Sequence, residues 1–365
     1  MAAASHRGAA RIAACFAVAA ASCGRPSAPA APSLPTALTA SSAIPAPREP
    51  APDGPVPPTA TSALSGAARA EPAVPAAPAP AISPLAAARL LFLSDDTHLT
   101  ACAQGTDAER IRCLISARYS ADARAAATAT ALYDATGDVA GLSPAETMDG
   151  GFRGTVRLVP ELPVQARRKH LEWVALAAAD YDDLFRQLTV GLARPLPYRW
   201  RGLGVRFMRS VNRTTPSAYA NGWSVSYNVD GSLNTSPDAV RELLFHEIFH
   251  LNDAAHGDWA PATLGPIFDA IVARCRSATS CLAPYAPTST LVRGGTYYAF
   301  QQNNGAPVHE YAAELALRYY REQRAVLHGA PPAARFKCGR PENGRAWSLL
   351  VDEFFAGVDR TAPCP

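Results

Sequence analysis

Hydrophobic and polar positions change their rhythm twice along this chain. From about residue 84 to 190, apolar residues recur every three or four positions in Ala-rich segments near 85–93, 107–135 and 164–189. That period predicts a mainly helical stretch. In the last segment Leu171, Val174, Ala178, Tyr181 and Phe185 share one face, with Pro163 near its start and Gly191 just past its end. Around 204–229 the period becomes two. Val205 and Phe207 alternate with Arg206 and Met208, and Trp223, Val225, Tyr227 and Val229 alternate with Ser224, Ser226 and Asn228. Alternation of this kind predicts half-buried strands, the second closed by the turn-rich run Asp230 to Asn234. The helical period then returns. Ser236 can cap a helix with Pro237 at its first position and Asp238 near its positive end. Val240, Leu244, Ile248 and Leu251 give that helix a stripe to bury, and Tyr311, Leu315 and Leu317 mark a later half-buried helix. The pattern predicts an α+β domain over 83–365, with a mainly helical part at 83–195 and a second part at 196–365.

Before residue 83 no period is found. Residues 24–82 are dominated by Pro, Ala, Ser and Thr, and no aromatic residue falls between Phe16 and Phe92. Such a segment has too little apolar surface to offset the entropy of ordering it, so it reads as a disordered tether. Residues 1–23 read as an export signal. His6, Arg7 and Arg11 precede an apolar run, Ile12 to Ala21, too short for a stable membrane anchor. The run ends in Ala20-Ala21-Ser22-Cys23, which resembles a bacterial lipobox and implies lipidation of Cys23. The expected location is the bacterial cell envelope, anchored outside the cytoplasm, or secreted if Cys23 is not lipidated. A net charge of +3 is too mild to argue for nucleic acid, and the chain is expected to act as a monomer. Cysteine usage agrees with export, because Cys102, Cys113, Cys275, Cys281, Cys338 and Cys364 form three sequence-local couples. The expected disulfides are 102–113, 275–281 and 338–364.

The chemistry concentrates in Phe245-His246-Glu247-Ile248-Phe249-His250-Leu251. Histidines at i and i+4 project from one helix face and can converge on one metal ion. Glu247 can then reach over the metal's open position and take a proton from water bound there. A catalytic zinc needs a third protein ligand, and two candidates compete. One is His256, ten residues after His246, the spacing at which the similar metzincin peptidases of the astacin and matrixin type place a third histidine, although Asp253 stands where their chain has the glycine that turns it off the helix. The other is Glu310, on a helix where Glu314 follows one turn later. Two acids on a largely apolar helix are costly to bury unless a cation compensates. Glu310 could bind the ion while Glu314 accepts a hydrogen bond from the spare nitrogen of a ligating histidine.

His246-Glu247-Ile248-Phe249-His250-Leu251-Asn252-Asp253, followed by Glu310-Tyr311-Ala312-Ala313-Glu314, resembles the gluzincin metallopeptidases of the anthrax lethal factor type. The resemblance covers these two segments. It implies a zincin-like fold, one zinc ion on His246, His250 and Glu310, Glu247 as general base and Glu314 outside the ligands. Asp253 matches the aspartate of that family's motif. The family's catalytic tyrosine lies shortly before the ligand glutamate, where this chain has Asn303 and Asn304. Tyr297, Tyr298 and His309 are the nearby donors for an oxyanion, with Tyr298 preferred. The strand Trp223–Val229 is the candidate edge for an extended peptide substrate. A zincin fold retained only for surface binding is the rival from another class. Glu247 argues against it, because a structural site is normally closed by four protein ligands.

Overall fold

The structure is a computed structural model that describes residues 81–94, 97–149, 154–192, 194–292, 295–301 and 307–365. The export signal, Cys23 and the tether up to residue 80 lie outside the described residues, as do Asn303 and Asn304. The described residues all fall within one unit, Ala68–Pro365.

Four helices open the fold: α1 (Pro84–Phe92), α2 (Thr97–Ala101), α3 (Asp107–Arg118) and α4 (Ala123–Thr136). The expected 107–135 helix is thus two. Asp122 caps the second by accepting a hydrogen bond from the Ala125 backbone N–H. Three strands follow, β1 (Val139–Leu142), β2 (Glu146–Asp149) and β3 (Thr155–Pro160), before the long α5 (Arg168–Leu188). The 83–195 part is mainly helical as expected, and these three short strands are an addition to that expectation. β1 is buried at all four positions and so shows no alternation to read. The sheet is completed by β4 (Gly204–Ser210), β5 (Ala218–Asn221) and β6 (Ser224–Asn228). Its order is β2-β3-β4-β6-β5, and β1 pairs in parallel with β4. The sheet therefore crosses the expected boundary at 195/196. Beyond it come α6 (Pro237–Ala255), α7 (Trp259–Thr263), α8 (Gly265–Cys275), α9 (Thr279–Leu282), α10 (Pro307–Leu327) and α11 (Pro341–Phe354).

Val205, Phe207, Val225 and Tyr227 belong to the main core with the helices, while Val156, Leu158 and Met208 form a smaller cluster. Gly141 is dictated by packing. A Cβ there would stand 2.2 Å from the Leu90 carbonyl oxygen, so only glycine lets α1 lie against β1. β6 is buried at every position, which corrects the half-buried reading. Its polar side chains find partners inside: Asn228 Nδ2 donates to Ser210 Oγ at 2.9 Å and to the Pro216 carbonyl at 2.8 Å. All three expected disulfides are present, at Cys102–Cys113, Cys275–Cys281 and Cys338–Cys364. They point to an oxidising, non-cytoplasmic compartment. No helix among the described residues is long and apolar enough to cross a membrane.

Asp138, just before β1, accepts a 2.7 Å hydrogen bond from the Leu203 backbone N–H, just before β4. Burial pushes its carboxyl up to about 7, against the opposing pull of that bond. The folded state therefore holds this proton to about pH 7, while the unfolded chain releases it near pH 4. Stability contributed by the neutral acid is full below about pH 4 and is lost as pH rises toward 7, by on the order of 4 kcal/mol. Asn cannot titrate and can still accept from Leu203. Relative to wild type, Asp138→Asn is expected to gain stability between pH 4.5 and pH 7.5 in urea unfolding. Parallel stability curves for the two proteins would refute the assignment.

Candidate metal centre

α6 begins as its sequence dictates. The Ser236 hydroxyl accepts from the Ala239 N–H at 3.2 Å, Pro237 opens the first turn and Asp238 lies within it. Val240, Leu244, Ile248 and Leu251 are buried. Phe245 is buried too, its ring centroid 4.5 Å from Tyr320 of α10, 5.4 Å from Tyr198 and 5.6 Å from Tyr181 of α5. Removing such a core ring costs about 3–5 kcal/mol, so this cluster locks α6 between α5 and α10. Their packing turns the His246/His250 side of α6 toward the Glu310/Glu314 side of α10.

The result is a convergence of three ligand atoms. His246 Nε2 lies 3.1 Å from Glu310 Oε2 and 3.1 Å from His250 Nε2, and His250 Nε2 lies 3.8 Å from Glu310 Oε2. Neighbouring ligands of a tetrahedral ion with bonds of about 2.0–2.1 Å stand about 3.3 Å apart. The circle through these three atoms has a radius of about 2.0 Å, so one point is within bonding distance of all of them. Among the described residues, His246, His250 and Glu310 are the group able to hold a metal ion.

The charges agree with a cation there. Burial works against a charged His246, but the carboxylates of Glu310 and Glu314 outweigh it and hold the imidazole well above the ordinary histidine range. Burial would raise Glu310, yet His246 and His250 hold it well below the carboxylate range. Glu247 behaves differently. It is buried, and desolvation raises its pKa against the pull of both histidines and of a hydrogen bond from the Ala220 backbone N–H. A carboxylate in such surroundings is a stronger base than one in water.

The surrounding residues sort the two third-ligand candidates. His256 ends α6 with its Nδ1 2.6 Å from Glu353 Oε1. Glu310, not His256, joins the histidine pair. Glu314, with only 4 % of its surface exposed, sets one carboxylate oxygen 3.2 Å from His246 Nδ1, and its other oxygen accepts from the Thr288 hydroxyl. With a metal ion bound, that contact would keep the imidazole proton on Nδ1 and leave Nε2 to the ion. Asp253 is buried near the C-terminal end of α6. It accepts from the Ala260 N–H at 2.7 Å and pairs with His309 Nδ1 at 2.6 Å, tying α6 to the residue before Glu310. Asn252 is a third clamp, exchanging hydrogen bonds of 2.7 and 2.9 Å with the Arg199 backbone.

Of the three candidate donors, Tyr298 lies beside the site, its ring centroid 5.8 Å from that of His246. Tyr297 enters a β-bridge with Leu291, and His309 is taken by Asp253. The candidate substrate edge moves as well. β6 is paired on both sides, by β4 and β5, so the outer strand is β5, which also carries Ala220 beside Glu247. Thr288 and Asn252 are missing from the residues legible in the sequence. Nothing in local spacing singles out a lone threonine, whereas Asn252, buried on a helix bearing the metal pair, could have been flagged as a polar residue in need of partners. No known protein family, curated protein or solved structure matches this chain.

Proposed function

We propose that the chain is an exported zinc metallopeptidase of the zincin type, hydrolysing peptide bonds in a peptide or protein substrate. The observation that carries this reading is the convergence of His246, His250 and Glu310 on one point, with the buried base Glu247 on the same helix. Two imidazoles and one carboxylate are a catalytic zinc donor set, and three protein ligands leave a position open for chemistry. A zinc ion bound there supplies a Lewis acid and acidifies a water molecule. Glu247 takes the proton from the attacking water and returns it to the leaving amine. Glu314 keeps the His246 Nδ1 proton away from the ligand point, and Tyr298 donates to the oxygen that becomes negative. An extended peptide fits against the outer edge of β5, whose main-chain groups have no strand partner on that side among the described residues.

The test is direct. Purified protein should contain one zinc per chain and cleave an unfolded casein-like substrate, lose that activity to a chelator and regain it with zinc. Protein that takes up no zinc would defeat the proposal. Protein that takes up zinc without cleaving any peptide would favour the binding-protein alternative.

The proposed anchor is a lipid on Cys23, with the Pro/Ala segment spacing the enzyme from its membrane. Cys23→Ser is expected to move the protein from the membrane fraction to the soluble fraction, with peptide hydrolysis unchanged. Mass spectrometry of the mature wild-type protein should find a lipidated Cys23 at its N-terminus, and an unmodified N-terminus elsewhere would refute the anchor.

A further inference from the structure

We infer that Thr288 is a positioning residue, which acts through Glu314 to orient His246 and, through Thr290, ties the ligand to the segment that carries Tyr298. The inference rests on the metal site proposed above and extends it outward by two residues.

A closed circuit of contacts carries the argument. Glu314 places one oxygen 3.2 Å from His246 Nδ1, and its other oxygen accepts the Thr288 hydroxyl proton. Thr288 and Thr290 share a hydroxyl–hydroxyl hydrogen bond of 3.2 Å. A hydroxyl has one proton. With that of Thr288 given to the carboxylate, the bond between the threonines is donated by Thr290. The Thr290 carbonyl then accepts from the Tyr298 backbone N–H at 2.8 Å, and the Tyr298 ring returns to His246 at 5.8 Å. Thr288 and Glu314 are both buried, so water cannot readily replace either partner.

The physics makes the hydroxyl matter. A buried carboxylate can rotate about its terminal torsion and present either oxygen, and one fixed donor on the far side selects one orientation. With Thr288 holding the second oxygen, the first faces His246 Nδ1, so that when a metal ion binds, the imidazole keeps its proton there and offers Nε2 to the ion. Without the hydroxyl, that oxygen is buried and unsatisfied, the carboxylate turns more freely and the ligand tautomer is less strongly imposed.

Zinc affinity, measured by competition with a chromophoric chelator, tests this independently of peptide cleavage. Thr288→Val keeps shape and burial but removes the hydroxyl, and should weaken zinc binding roughly tenfold to a hundredfold. Thr288→Ser keeps the hydroxyl and should stay within about threefold of wild type. If Thr288→Val fails to fold, Thr288→Ala against Thr288→Ser isolates the same group, since both lack the methyl. Metal-free wild type and Thr288→Ser should also show the same protection of the Tyr298 amide in hydrogen exchange, with the hydroxyl-free variant less protected. Equal zinc affinity with and without the hydroxyl overturns the inference and leaves the metallopeptidase reading standing. A wild type that binds no zinc overturns both.

Discussion

Replacing Glu247 by glutamine is expected to leave zinc content and fold intact while peptide hydrolysis falls about 10²- to 10⁴-fold. That range is the usual contribution of a general base. The side chain is not one of the three converging ligands, so its charge is dispensable for metal binding. The amide is nearly the same size, and the Glu247 oxygen that accepts from the Ala220 N–H has a counterpart in the glutamine carbonyl. What glutamine lacks is the ability to accept a proton from water. The loss should appear in kcat more than in KM, because the base acts as the transition state forms. Zinc analysis of the same preparation keeps the result clean. An undiminished kcat in zinc-replete Glu247→Gln would remove the proposed mechanism.

Zinc stoichiometry across Glu310→Ala, Glu314→Ala and His256→Ala should separate into three levels. Glu310→Ala removes a converging ligand and the negative charge nearest His246, so the site should be nearly empty at micromolar zinc. Glu314→Ala leaves all three ligands but frees the His246 Nδ1 proton, and should weaken affinity about tenfold to a hundredfold. His256→Ala should bind zinc almost normally, because its imidazole is committed to Glu353 at 2.6 Å. That variant should instead lose some stability at the end of α6. An empty site in His256→Ala, with zinc retained in Glu310→Ala, would reverse the ligand assignment.

The single chain determined more of this site than of the sheet that supports it. Ser236, Pro237 and Asp238 start α6 by local hydrogen bonding and charge, and the i, i+4 spacing alone puts His246 and His250 on one face. The disulfides were legible for a similar reason, since the paired cysteines are separated by 11, 6 and 26 residues. Only the tertiary structure decided which distant group completes the pair. Glu310 is 64 residues beyond His246, and it arrives because Phe245 and Tyr320 lock α6 to α10. His256 was the local alternative by spacing, but a partner 97 residues away, Glu353, takes it. Thr288 became part of the site in the same way, through a carboxylate no spacing connects to it. β1 failed to show for a different physical reason, whereas β3 does alternate exposed Thr155 and Arg157 with buried Val156 and Leu158. Alternation is visible only when one face of a strand meets water, and β1 is covered throughout. In β6 the alternation was real, yet Ser224, Ser226 and Asn228 are buried along with Val225 and Tyr227, so both faces are interior. Local spacing specifies what one turn of helix presents; burial and long-range pairing are properties of the neighbours, and those exist only once the chain has folded.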